Sequence, residues 1–143
     1  MTAEVDEMMP LLADLASRGG FGNGHAETAA FIVRRDGELR CELWPATGKY
    51  QQTSFTGRIP EGTVAIAHTH PRCCRDASGQ DKLEARRLGI PVVVVSAASV
   101  SLVTGTRADE HHSRRLRWSS HADPDRRCSV SSDRVDVPSN RSR

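Results

Sequence analysis

The sequence predicts an α/β (α+β) fold, a mixed β-sheet with flanking helices. Three observations carry this reading. Short apolar runs rich in β-branched residues, such as Val64 to His68 and Val92 to Val95, are bounded by Gly, Pro or Asp-Gly, as strands are. Helical apolar spacing marks the N-terminal stretch and the segment between Ser78 and Gly89. The order strand, short helix, strand over residues 64–96 is that of two neighbouring strands joined by a crossover. A length of 143 residues suits one folded unit. Hydrophobic content of 37% and aromatic content of 4% predict that part of the chain does not pack. Three segments follow: 1–24 as an N-terminal helix and flexible connector, 25–104 as the compact domain, and 105–143 as a disordered tail rich in Arg and Ser.

Thr2 to Ser17 reads as an amphipathic helix with Val5, Met8 or Met9, Leu12 and Leu15 on one stripe. Pro10 should weaken or kink its middle. Its expected task is to cover a sheet face. In the connector after it, Gly20-x-Gly22-x-Gly24 has neither a preceding strand nor a following helix and so makes no phosphate cradle. Thr28 to Val33 and Leu39 to Trp44 read as paired strands around the Asp36-Gly37 turn. Pro45 to Gly57 is polar and turn-rich, and Trp44, Tyr50 and Phe55 either line a groove or close the core edge, the second being the commoner use. Val64 to His68 is a buried central strand, ending before Pro71. Ser78 is a good N-cap, Leu83, Ala85 and Leu88 suit a short helix, and Gly89 ends it. Val92 to Val95 is apolar throughout, as in a strand covered on both faces, and Val100 to Thr104 is a last strand.

Chemistry concentrates at the end of the central strand. Alternation along a strand puts His68 and His70 on one face about 7 Å apart. Asp81, in the first turn of the next helix, supplies a third donor. Two imidazoles and a carboxylate suit Zn2+, and three protein ligands leave one position for water, as in catalytic sites.

His68-x-His70, Pro71, then Ser78, two further residues and Asp81, resembles the signature of the JAMM (MPN-plus, JAB-domain) zinc metallopeptidases, in their bacterial form. The resemblance covers roughly Ala26 to Val103. It implies a JAB/MPN-like fold with a layout related to the cytidine deaminases, whose own His-x-Glu and Pro-Cys-x-x-Cys signature is absent. Residues 25–104 would be the catalytic domain, with Zn2+ held by His68, His70 and Asp81. Glu27, ahead of the run Thr28 to Val33, fits the family's water-activating glutamate, and Ser78 fits its oxyanion donor. Ser78 also reads as a capping residue for the helix, and Glu27 as a strand-edge carboxylate. The substrate class implied is a protein or peptide cleaved at an amide or isopeptide bond, including a ubiquitin-like or sulfur-carrier protein. The competing class is a non-catalytic MPN-like binding scaffold or truncated inactive domain.

Cys41, Cys73, Cys74 and Cys128 are even in number, yet two are adjacent and one lies in the polar tail, so the spacing gives no disulfide framework. Cys73 and Cys74 read as free thiols in a loop, with metal ligation as the rarer use. From Thr104 onward nine arginines stand against six acids, with almost no apolar residues, so the tail is expected to be disordered and His111, His112 and His121 solvated. A net charge of +2 is too mild to predict a nucleic-acid partner. Met1 to Asp14 is acidic and no signal peptide, and Ile90 to Val103 is too short and serine-broken to span a bilayer. The expectation is a cytoplasmic protein without a membrane partner.

Overall fold

The computed structural model describes residues 3–18, 28–44, 59–70, 79–104 and 111–130. Among them lie two helices, α1 (Ala3–Arg18) and α2 (Gly79–Leu88). The strands are β1 (Ala29–Arg35), β2 (Glu38–Leu43), β3 (Thr63–Thr69), β4 (Val92–Ser96), β5 (Ser99–Val103), β6 (His111–Arg115) and β7 (Ser129–Val130). They form one mixed sheet in the order β6-β5-β4-β3-β1-β2-β7. The β3–β4 and β2–β7 pairs are parallel and the other neighbours antiparallel. This is the mixed-sheet α/β class expected from the sequence.

The β1–β2 hairpin forms where Asp36 and Gly37 both take positive φ, 53° and 80°. That left-handed pair matches the twist of antiparallel strands. Between β3 and β4 the chain crosses over through α2, as parallel strands require, and His68 pairs with Val94 in register. Alternation then sorts the side chains. Ala30, Ile32, Ala65, Ala67, Val93, Val95, Val100 and Leu102 face α1, where they join Val5, Met8, Leu12 and Leu15 in the main core. Each such fully buried large side chain contributes about 1.5–3 kcal/mol. Pro10 lies inside α1, and the helix runs through it. An internal proline costs about 3 kcal/mol, less than the burial of its apolar neighbours Met8, Met9, Leu11 and Leu12 returns. At the helix rim Arg34 pairs with Glu7 at 3.0 Å and Arg114 with Asp6 at 3.3 Å.

Two expectations are corrected. Residues 111–130, expected to lie within a disordered tail, instead carry β6, a 3-10 turn at Trp118–Ser120 and β7. Trp118 is buried, and its indole Nε1–H donates to the Ser96 carbonyl at 2.6 Å. Polar composition hid this, since one large side chain and strand pairing do the work that an apolar run usually does. The cysteines are the second case: Cys41 and Cys128 form a disulfide across 87 residues, tying β2 to the chain entering β7. Cys73, Cys74, Tyr50 and Phe55 lie outside the described residues. Trp44 is partly buried against Phe31, with ring centroids 5.6 Å apart, on the core edge. Among the described residues, no helix is long and apolar enough to cross a membrane.

Candidate metal centre

The second face of the sheet holds a smaller apolar layer and a polar end. Phe31, Val33 and Ile66 pack with Trp44, Ile59, Leu88 and Ile90, while Ala85 of α2 meets Val92, Val94 and Val103. Two residues beyond Ile66 along β3 comes His68, and two beyond that His70, on the same face. The strand is held in place on both sides here. Thr69 N–H donates to the Thr28 carbonyl and His70 N–H to the Val95 carbonyl, each at 2.9 Å.

Helix α2 brings the third group. Its C-terminus closes at Gly89, whose φ of 68° lets its N–H donate to the Ala85 carbonyl at 2.9 Å. With Ala85 buried against β4 and β5, the helix face bearing Asp81, one turn earlier, is turned to the end of β3. Asp81 stands in the first turn, where the helix dipole favours negative charge.

The three side chains converge. His68 is 3% exposed, His70 7% and Asp81 1%, and their donor atoms lie within 4.8 Å of one another. Asp81 divides its oxygens between the imidazoles: Oδ1 is 2.5 Å from His68 Nε2, and Oδ2 is 3.4 Å from His70 Nε2. The rings are tilted by 35° with centroids 5.0 Å apart. A carboxylate this buried is costly unless positive charge or a metal compensates it. Two ring nitrogens and a carboxylate oxygen directed at one small volume are a donor set that can hold a metal ion.

Glu27 and Ser78, the other two residues that sequence reasoning assigned to this site, lie outside the described residues. Their immediate neighbours, Thr28 and Gly79, are described, the first hydrogen-bonded to Thr69 and the second opening α2. A groove of about 400 Å³ runs between α1 and the 118–127 segment, lined by Ala13, Asp14, Ser17, Trp118 and Arg127 among others. It contains none of the three converging residues. The contact that sequence reasoning missed is the pairing of Thr28 with Thr69, and no spacing or composition signal marks it. Comparison with known proteins finds no matching family model, no matching curated protein and no matching solved structure.

Proposed function

We propose that the chain is a zinc-dependent metallopeptidase of JAMM type, with a JAB/MPN-like fold, that hydrolyses an amide or isopeptide bond in a protein or peptide substrate. One observation carries the reading: the buried convergence of His68, His70 and Asp81 at the end of a parallel strand and the start of the helix that follows it. The sequence spacing that motivated the resemblance thus coincides with a compact donor set in space.

His68, His70 and Asp81 would hold Zn2+ through His68 Nε2, His70 Nε2 and the Asp81 carboxylate. When bound, zinc lowers the pKa of water to about 7 and polarises a substrate carbonyl. Glu27 takes a proton from the attacking water and returns it to the departing amine, the shuttle a carboxylate performs beside an electrophilic centre. The Ser78 hydroxyl donates a hydrogen bond to the developing oxyanion, a contact worth roughly 3 kcal/mol where such donors have been removed. Thr28, next to Glu27, is anchored between the two histidine positions, which supports placing Glu27 in this role. An unpatterned tail would argue mildly for the scaffold alternative, and residues 111–130 instead supply β6 and β7 to the sheet.

The test is zinc content per purified chain together with hydrolysis of a panel of peptide and isopeptide substrates. Wild type should carry about one zinc per chain, His68→Ala none, and Glu27→Gln should keep zinc while losing at least ~100-fold in turnover. A zinc-free wild type after refolding with metal at neutral pH would sink the proposal, and unchanged turnover in Glu27→Gln would remove that residue from the mechanism.

A further inference from the structure

Helix α2 has a second face. Asp81, Glu84 and Ala85 are buried and Leu88 packs on the Phe31, Val33 and Ile66 layer, so these four mark the side turned to the sheet. At about 3.6 residues per turn, Lys82, Leu83, Arg86 and Arg87 share the opposite side. Leu83 is 59% exposed, and among the described residues it is the one large hydrophobic side chain left in water. Arg86 and Arg87 beside it are exposed too. At the rim of α1 the cations are matched: Arg18 by Asp14, Arg34 by Glu4 and Glu7, Arg114 by Asp6. On α2 Arg87 turns back to Glu84, while among the described residues neither Lys82 nor Arg86 has a carboxylate partner. Helix physics accounts for part of this. Cations in a last turn favour the helix dipole, which explains Arg86 and Arg87. Lys82 stands near the positive end, where the dipole opposes it, and one turn from Arg86, where like charges repel. A single exposed leucine is ordinary by itself, but this one sits among cations that the fold leaves without acids.

We propose that the outer face of α2 is a docking surface for an acidic protein, whose carboxylates meet Lys82, Arg86 and Arg87 and whose apolar side chain covers Leu83. Charge complementarity selects this occupant. A phosphate backbone makes no use of a leucine at the centre, and the helix carries no aromatic ring on which a base could stack. One leucine is too little apolar surface to enter a bilayer. The docking face and the donor Asp81 belong to the same helix, on opposite sides of it. A helix is about 10 Å thick, so roughly three to four extended residues lead from its outer face round the first turn to the metal centre. The docked protein is then the substrate and its tail carries the scissile bond, a step that rests on the metallopeptidase reading.

The experiment uses the full chain, 15N-labelled and incubated with Zn2+, and a synthetic probe: an acetylated peptide with glutamates on either side of a leucine-phenylalanine pair. Amide shifts should centre on Lys82 to Arg87. Leu83→Gln, and Lys82→Gln combined with Arg86→Gln, should each weaken binding by about tenfold. Both variants keep good helix formers on a face outside the core, so their thermal melts should overlay that of wild type. A probe with glutamines for its glutamates should not bind. Joined through about four residues to an isopeptide bond, the acidic probe should be cleaved with a KM about tenfold below that of the neutral one. That advantage should disappear in both variants at unchanged kcat and zinc content. No α2 shift at millimolar probe overturns the inference, as does tighter binding of this face to a single-stranded oligothymidylate or to phosphatidylserine vesicles. Cleavage indifferent to the α2 substitutions overturns the inference and leaves the metallopeptidase reading standing. Shifts on α2 in a chain that takes up no zinc leave the docking face and remove that reading.

Discussion

His68 Nε2 lies 2.5 Å from Asp81 Oδ1, so the end of the central strand and the first turn of α2 meet through two buried side chains that are 13 residues apart in sequence. The contact links the crossover helix to the strand it follows. A metal at this point would bind only the folded arrangement, because the donors are brought together by tertiary packing.

Metal binding should therefore appear as stability. Zinc at 100 times its dissociation constant should raise the unfolding free energy by about 2.7 kcal/mol. Asp81→Asn should abolish that increment and bind less zinc, having lost its charged donor. Thermal melts with and without Zn2+ read both effects, and an equal zinc-dependent rise in Asp81→Asn would exclude the carboxylate as a ligand.

The Cys41–Cys128 disulfide closes a loop with a sequence separation of 87, and both cysteines are buried. Cys128 is held further by its N–H to Asp14 and by Arg18 on its carbonyl, each at 2.9 Å. Reduction, or Cys41→Ser with Cys128→Ser, should cost roughly 2–5 kcal/mol. Denaturant unfolding with and without reductant measures it. Disulfides persist in oxidising compartments and are rare in the cytosol, so better yield from an oxidising expression compartment is expected, and identical stability in both redox states would count against the bridge.

Acid should loosen the docking of α1. The Arg34 guanidinium hydrogen-bonded to Glu7 holds that carboxyl below its ordinary 4.5, chiefly through the hydrogen bond. A folded-state value below the unfolded one stabilises the fold above pH 4.5, and the contribution is lost as pH falls through the lowered value. Glu7 is exposed, so the effect is small and screened by salt. NMR titration should find Glu7 returned to its ordinary range in Arg34→Met; the same low value in that variant would mean another group is responsible.

Gly62 has φ of 87°, and a Cβ there would sit 2.8 Å from the Arg34 carbonyl oxygen. Gly89, at φ of 68°, has open space around such a Cβ. Gly62→Ala should therefore destabilise by roughly 1–3 kcal/mol and Gly89→Ala by about 1 kcal/mol. Paired denaturation curves decide it, and the reverse order would contradict the packing between β1 and the turn before β3.

What could be read from the sequence was local. Asp36-Gly37, Gly89 and the Val92–Ser96 run declare their conformations through their own backbone preferences, and the structure has a hairpin, a helix end and a strand there. His68, His70 and Asp81 were legible because alternation and a short crossover constrain where they can point. The rest was decided at a distance. Trp118 is buried by virtue of a carbonyl on Ser96, 22 residues away, and Cys41 meets Cys128 because β2 and β7 share an edge. Neither partner carries a mark in its own neighbourhood, so a polar stretch read alone looked unable to fold.

Among the described residues, both outermost strands of the sheet, β6 on one side and β7 on the other, come from residues 111–130. During synthesis the strands that become β5 and β2 are made first and must wait, with unpaired N–H and C=O groups along their outer flanks, until residues 111–130 leave the ribosome. A nascent chain halted near residue 104 would offer two sticky flanks at once, each able to recruit another molecule. Residues 111–130 thus cover these flanks late, β6 along β5 from Ser99 to Val103 and β7 along Glu42 and Leu43 of β2, and a product truncated near residue 104 should accumulate as aggregates rather than as a smaller working protein.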